Sequence, residues 1–207
     1  MYKESTNVVV KHLVNRLRDI TTTSNEFRLT IEEIARIIAS EALNNYPTAT
    51  KEIETWQGSL DVEMIDVQKL VLVPILRAGE PMLTGILRTL PYARSGFLAM
   101  KRDEQTAQSK LFYENIPNLE DKTVLLLDPM VATGGSLIDG IEYLKSKGAK
   151  KIVSLNILGS QEGVAVVQKA FPDVDIFIAQ IDPTLDENKY IRPGLGDAGD
   201  RAFNTND

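Results

Sequence analysis

Cysteine is absent from this 207-residue chain, and histidine occurs once, at His12. Without a thiol there is no disulfide framework, no thiolate metal site and no cysteine nucleophile. One histidine forms no cluster and argues against a Ser–His triad. Basic residues are outnumbered, 23 Lys and Arg against 29 Asp and Glu, for a net charge of −6. A general nucleic-acid binder carries a basic footprint that this balance lacks, although a local basic pocket for a phosphorylated small molecule stays open. Long hydrophobic runs are missing as well. No stretch reaches the length of a membrane span, and the opening MYKESTNVVV is not laid out as a signal peptide. The expectation is a soluble, cytoplasmic protein with neither nucleic acid nor membrane as partner.

What is present is globular. The chain is 43% hydrophobic and 25% charged, and long enough to bury a real core in one domain. The stretch around which the rest is organised is Asp128 to Ser136, DPMVATGGS. An apolar run, Val124 to Leu127, precedes it, and a helical repeat begins at Leu137. Apolar run, acid, small-residue loop with two glycines, then helix: this is the order of a strand–loop–helix phosphate cradle. Gly134 and Gly135 let backbone approach a ligand without Cβ interference. Helix-start N–H groups and the hydroxyls of Thr133 and Ser136 can hold a phosphate. Asp128 falls at the strand's carboxyl end, where open α/β sheets present polar groups to ligands.

The rest of the chain alternates strands with helices. Val10, Leu13, Val14 and Leu17 recur at helical spacing over 8–18, with His12 beside that stripe in a packing or hydrogen-bonding role. Thr23 and Glu26 have capping-box spacing, and Phe27, Ile31, Ile34, Ile38 and Ala42 give the next helix an apolar face. Residues 51–66 alternate loosely about Gln57-Gly58-Ser59 and predict a hairpin of half-buried strands, with Trp56 in the core or at a subunit contact. Leu70 to Leu76 predicts a buried parallel strand ending at Arg77-Ala78-Gly79, with a helix from Pro81. Gly96 to Met100 predicts a strand running into a polar, lid-like excursion over about 101–115. Beyond the cradle, a helix closed by Gly148, a strand over 152–158, a helix over 161–170 and a strand over 174–179 complete the pattern. The fold expected is α/β, a mainly parallel sheet flanked by helices with a small hairpin or lid excursion. No internal repeat or linker divides residues 1–207, so one domain is expected, with N-terminal helices over about 8–45.

The tail breaks the rhythm. YIRPGLGDAGDR, 190–201, carries three glycines, two acids and two arginines, which suits a small flat ligand recognised by backbone groups. Four segments therefore await one ligand: Arg77 with its glycine turn, Lys101-Arg102, the cradle with Asp128, and the tail. Separate cations and two glycine-rich segments suit a ligand with phosphate at two ends. No Gly-x-Gly-x-x-Gly directly follows any of the strands predicted above, and the cradle lacks a P-loop lysine.

These residues resemble a known family. VLLLDPMVATGGS is similar to the ribose-phosphate loop of type I phosphoribosyltransferases. VPILRAG, KRDEQT and YIRPGLGDAGDR resemble the uracil phosphoribosyltransferase family within that class, as do the early HLVNRLRD and EFR. Pro129 replaces the second acid found in many type I relatives. Glu80-Pro81 departs from the family's usual Leu-Gly, and Lys101 from a common tyrosine.

The resemblance implies transfer of ribose 5-phosphate from phosphoribosyl diphosphate to N1 of uracil, giving UMP and diphosphate with Mg²⁺ as cofactor. It implies that Thr133, Gly134, Gly135 and Ser136, with Pro129, Met130, Val131 and Ala132, cradle the phosphoribosyl group beside Asp128. Arg77 and Arg102 would bind the diphosphate. Ile191, Gly196, Asp197 and Ala198 would read uracil over a tail of about 182–203, with Asp197 also facing the Mg²⁺ waters. Arg77, Asp128 and Asp197 are the catalytic candidates, and no metal is expected to be held directly by protein. A homo-oligomer and GTP as allosteric effector are possibilities the family brings. Two alternatives stay open: a phosphoribosyltransferase for another base, and a regulatory protein of this fold that senses phosphoribosyl diphosphate or UMP.

Overall fold

The computed structural model describes residues 1–102 and 109–205, apart from the side chains of residues 101, 102, 109 and 110. A short strand β1 (Tyr2–Glu4) leads into two amphipathic helices, α1 (Val8–Arg18) and α2 (Ser24–Ala42). Asn7 caps α1 through Val9 N–H. Thr23 and Glu26 form the full capping box of α2, each side chain meeting the other's backbone N–H. The apolar stripe of each helix is buried: Val10, Val14 and Leu17 on α1, Phe27, Ile31, Ile34 and Ile38 on α2. His12 lies on the outer face of α1, exposed rather than packed.

Next come an antiparallel hairpin, β2 (Thr48–Thr55) and β3 (Gly58–Ile65), then β4 (Leu70–Leu76), α3 (Glu80–Leu87), β5 (Arg94–Ser95), β6 (Phe97–Arg102) and β7 (Ser109–Asn115). The second half holds β8 (Thr123–Leu127), β9 (Met130–Val131), α4 (Gly135–Ser146), β10 (Lys151–Ser160), α5 (Gln161–Ala170) and β11 (Asp175–Asp182). The tail forms a two-stranded ladder, β12 (Thr184–Leu185) with β13 (Ile191–Arg192), and a last helix α6 (Ala198–Phe203).

Among the described residues the main sheet runs β1-β11-β10-β8-β4-β6-β7, with β5 beside β4 and β9 beside β10. Every pairing is parallel except β6 with β7. The central strands read as unbroken apolar runs because both faces are covered. On β4, Leu70 and Leu72 face the core under α1, α2 and α3, while Val71, Val73 and Ile75 face the core under α4 and α5. Each such side chain contributes about 1.5–3 kcal/mol on burial, so the sheet's middle is rigid and its carboxyl edge is a stable platform.

One expectation fails. The 48–65 hairpin is not half-buried: most of its residues are exposed, Leu60 and Met64 among them, and Trp56 at its tip is 90% exposed, which excludes the core and leaves the subunit contact. Its alternation is too weak to define an inner face, and the hairpin stands apart as its own two-stranded sheet. The 101–115 excursion is largely a continuation of the sheet, since β7 runs back along β6 with a bulge at Ala99/Met100. The part expected to behave as a lid, 103–108, lies outside the described residues.

Candidate active site

The parallel strands deliver their carboxyl ends to one edge, and the candidate residues cluster there. Asp128 follows β8 directly. It is 8% exposed, and burial raises its carboxyl to about 7, opposed by a hydrogen bond from Met130 N–H to Oδ1 at 3.2 Å. β10 holds the backbone around it from the side. Asn156 Nδ2 donates to Asp128 O at 2.6 Å, Ser154 Oγ donates to Asn156 Oδ1 at 2.7 Å, and Ile157 and Leu158 N–H both donate to Pro129 O. Met130 and Val131 form β9 on β10, so the cradle's first half is itself sheet.

Ala132, Thr133, Gly134, Gly135 and Ser136 then turn into α4. Gly134 is the N-cap residue, at φ +82°, and no side chain caps the helix there among the described residues. An uncapped N-terminus keeps donor groups for a ligand and carries the positive end of the helix dipole. Met130, Ala132 to Ser136 and Leu137 line a concavity of about 70 Å³. The loop is pinned from outside. Ser160 Oγ donates to Ala132 O at 2.6 Å and accepts from Gly163 N–H at 2.8 Å. A Cβ on Gly163 would stand 2.1 Å from Ala132 O, so α5 meets the cradle backbone to backbone.

Arg77 follows β4, and the Leu76–Arg77 peptide is cis. A Cβ on Gly79 would stand 2.5 Å from Leu127 O, which shows how tightly the arginine loop is stacked on the end of β8. Arg77 and Asp128 are thereby brought to adjacent strand ends. The Arg77 guanidinium is half exposed, and it donates to Asp200 Oδ1 at 2.8 Å and to Thr205 Oγ1 at 3.1 Å. Those two bonds hold the tail next to the arginine loop. Glu80, which departs from the family pattern, lies in the first turn of α3 and accepts from Thr84 Oγ1 at 2.7 Å.

In the tail, Ile191 is buried in β13 and Ala198 begins α6, while Gly196, at φ +82°, and Asp197 are exposed. Asp197 Oδ1 accepts from Asp200 N–H at 2.9 Å, so this carboxylate is the N-cap of α6. Arg102 closes β6, and its side chain lies outside the described residues.

Several residues that shape this edge stand inside or beside the motif segments without having been read as site residues. Arg18 pairs with Asp182, and Arg28 Nη1 donates to Ala202 O at 2.6 Å. Arg201 donates to Leu17 O, to Leu195 O at 2.8 Å and to Asp19 O at 2.6 Å, with its guanidinium 4.4 Å from the Phe27 ring centroid. Asp182 was within reach of sequence reasoning, since it ends a strand just as Asp128 does. A cavity of about 810 Å³ lies elsewhere, between the base of the β2–β3 hairpin and the 89–92 turn. Its walls are mostly apolar, and no residue of the arginine loop, the cradle or the tail is among those that line it.

A parallel sheet whose carboxyl edge carries an acid-led, side-chain-uncapped cradle beside an arginine loop defines a type I phosphoribosyltransferase fold. Hypoxanthine phosphoribosyltransferase from Trypanosoma cruzi in complex with the product IMP shares that fold, at a TM-score of 0.52 and 17% identity over 82% of this chain and 85% of that one. The family model described as uracil phosphoribosyltransferase matches residues 4–205, and the chain belongs to that family. Among its relatives, uracil phosphoribosyltransferases of Shouchella clausii and Clostridium acetobutylicum are each 44% identical over 95% of both chains. The AQ2163 protein from Aquifex aeolicus superposes at a TM-score of 0.95, with 36% identity over 99% of each chain.

Proposed function

We propose that the protein transfers the 5-phosphoribosyl group of phosphoribosyl diphosphate to N1 of uracil, giving UMP and diphosphate, as a cytoplasmic pyrimidine-salvage enzyme. The observation that carries the reading is the stacking of the Arg77 loop on the end of β8, with the tail bonded to that loop through Asp200 and Thr205. Phosphate cradle, cation and base-reading tail thus lie along one edge.

In this reading Thr133, Gly134, Gly135 and Ser136 hold the 5-phosphate, with Pro129 to Ala132 as the cradle's floor. Asp128 accepts hydrogen bonds from the ribose hydroxyls. Arg77, with Arg102, takes the diphosphate, on which negative charge builds as the glycosidic carbon–oxygen bond breaks. Donors fixed where charge develops stabilise the transition state more than the ground state. Ile191, Gly196 and Ala198 offer backbone groups to the uracil edge, and Asp197 faces the phosphoribosyl diphosphate. No group of three or more His, Asp or Glu suited to holding a metal occurs among the described residues. Mg²⁺ commonly keeps substrate oxygens and water as its ligands. Bound in that way, with Asp197 toward its waters, Mg²⁺ would neutralise diphosphate charge. N1 deprotonation has no dedicated base in this reading, and positioning carries the rate.

Incubating the purified protein with phosphoribosyl diphosphate, Mg²⁺ and each free nucleobase in turn tests this. UMP from uracil is the expected product; a purine nucleotide in its place would overturn the substrate assignment. We also propose a homo-oligomer, supported by the exposed Trp56, Leu60 and Met64 of the hairpin, and a GTP effector as in some of the family. Sedimentation with and without GTP, with initial rates alongside, decides both. A monomer would contradict the first, and a rate indifferent to GTP the second.

A further inference from the structure

The buried ion pair between Arg18 and Asp182 joins two elements 164 residues apart, and the chemistry above makes no use of it. Arg18 ends α1 and Asp182 ends β11. Nη1 meets Oδ2 and Nη2 meets Oδ1, each at 2.7 Å, with side-chain exposures of 17% and 3%. Both charged groups also grip one residue of the tail. Arg18 Nη1 donates to Gly194 O at 2.7 Å, and Gly194 N–H donates to Asp182 Oδ2 at 2.8 Å. Gly194 is therefore held at both ends of its own backbone.

Gly194 sits at φ +67°, and a Cβ there would stand 2.0 Å from Ile191 O. Only glycine lets the chain fold this closely over Ile191. The turn separates Ile191 from Gly196 and Ala198, the two halves of the segment that reads the base. Its far side is fixed to the same helix end, because Arg201 reaches Leu17 O, Asp19 O and Leu195 O. The distance between the two halves is thus set by the end of α1. A buried charge pair is seldom better for stability than apolar residues of the same volume, but it imposes bond directions that apolar packing does not.

We propose that Arg18 and Asp182 are positioning residues for base specificity, fixing the Gly194 turn so that the tail's backbone groups match a pyrimidine edge. The inference rests on the uracil-transfer reading and extends it to residues outside the site.

The test measures KM for uracil and for phosphoribosyl diphosphate separately in Asp182→Asn and Arg18→Lys. These variants keep a polar partner, so they guard against the collapse that Arg18→Ala risks. Losing one charge-assisted bond predicts a rise of about 10-fold or more in uracil KM. The KM for phosphoribosyl diphosphate should stay within about 2-fold, and the preference for uracil over cytosine should fall. UMP should bind correspondingly more weakly, and ribose 5-phosphate, which lacks a base, unchanged. A parallel rise in both KM values, equal weakening of UMP and ribose 5-phosphate, or an unaltered uracil KM would each overturn the proposal. A wild-type protein that forms no UMP from uracil would instead count against the function itself, so the two failures are told apart.

Discussion

Arg77 and Asp200 meet at 2.8 Å, joining the loop after β4 to the last helix, with the guanidinium 55% exposed. An ion pair this open contributes at most about 1 kcal/mol to stability. The same guanidinium has two bonds to exchange for a diphosphate. Arg77→Ala is therefore expected to leave the thermal midpoint nearly unchanged and to lower kcat/KM by about 10²–10³, or roughly 2–4 kcal/mol of transition-state stabilisation. Steady-state rates and a melting curve on the same preparation check both halves. A full-rate variant would remove Arg77 from the chemistry.

Asp128 sets a pH dependence whose sign is opposite to that of most carboxylates. Burial raises it to about 7, whereas an unfolded aspartate titrates near 3.9. Between those values the folded state keeps a proton that the unfolded state has released. Stability therefore falls as pH rises from about 4 to about 7, and levels off above. The full effect is on the order of 4 kcal/mol. Asp128→Asn removes this titration, so denaturant unfolding at pH 5, 6, 7 and 8 should show the variant gaining on the wild type up to about pH 7. A difference constant across that range would contradict the shift.

Gly163 gives a steric test of the cradle from outside it. Its Cβ position is 2.1 Å from Ala132 O and 2.9 Å from Val131 O, backbone atoms that move only if the loop moves. Gly163→Ala should cost about 1–3 kcal/mol in stability. It should also raise the KM for phosphoribosyl diphosphate, because the displaced atoms belong to the phosphate loop. An unchanged KM would mean that the loop's geometry is not used for binding.

The elements that sequence reasoning located were those whose signal is local. β4 spans Leu70–Leu76 because seven apolar residues in a row suit a strand covered on both faces. α2 begins after Thr23 because Thr23 and Glu26 satisfy each other's backbone within one turn. The cradle was legible for the same reason: acid, glycines and helix start are contiguous. Partners that meet across the chain were not legible. β1 pairs with β11, and Arg18, Arg28 and Arg201 reach backbone or charge supplied by distant elements. α6 was hidden because Asp197, read only as a ligand group, also caps a helix of six residues. The β2–β3 hairpin misled through its mixed composition: intermediate and exposed residues interleave, and no packed face results.

Asn156 offers the most direct test of how the sheet holds the cradle. It is fully buried, accepts from Ser154 Oγ and donates to Asp128 O at 2.6 Å, where the chain leaves β8. Asn156→Leu keeps the approximate volume but strands two buried polar atoms, each costing about 1–3 kcal/mol. Replacing Ser154 with Ala as well removes one of those stranded atoms, so the double variant should recover part of the lost stability. The carbonyl of Asp128 would still lack its partner, and activity should stay low in both variants. Denaturant unfolding and kcat/KM for wild type, the Asn156→Leu and Ser154→Ala single variants and the double variant separate the two effects. Recovery of stability without recovery of rate would assign Asn156 to the orientation of Asp128; recovery of both together would reduce it to packing.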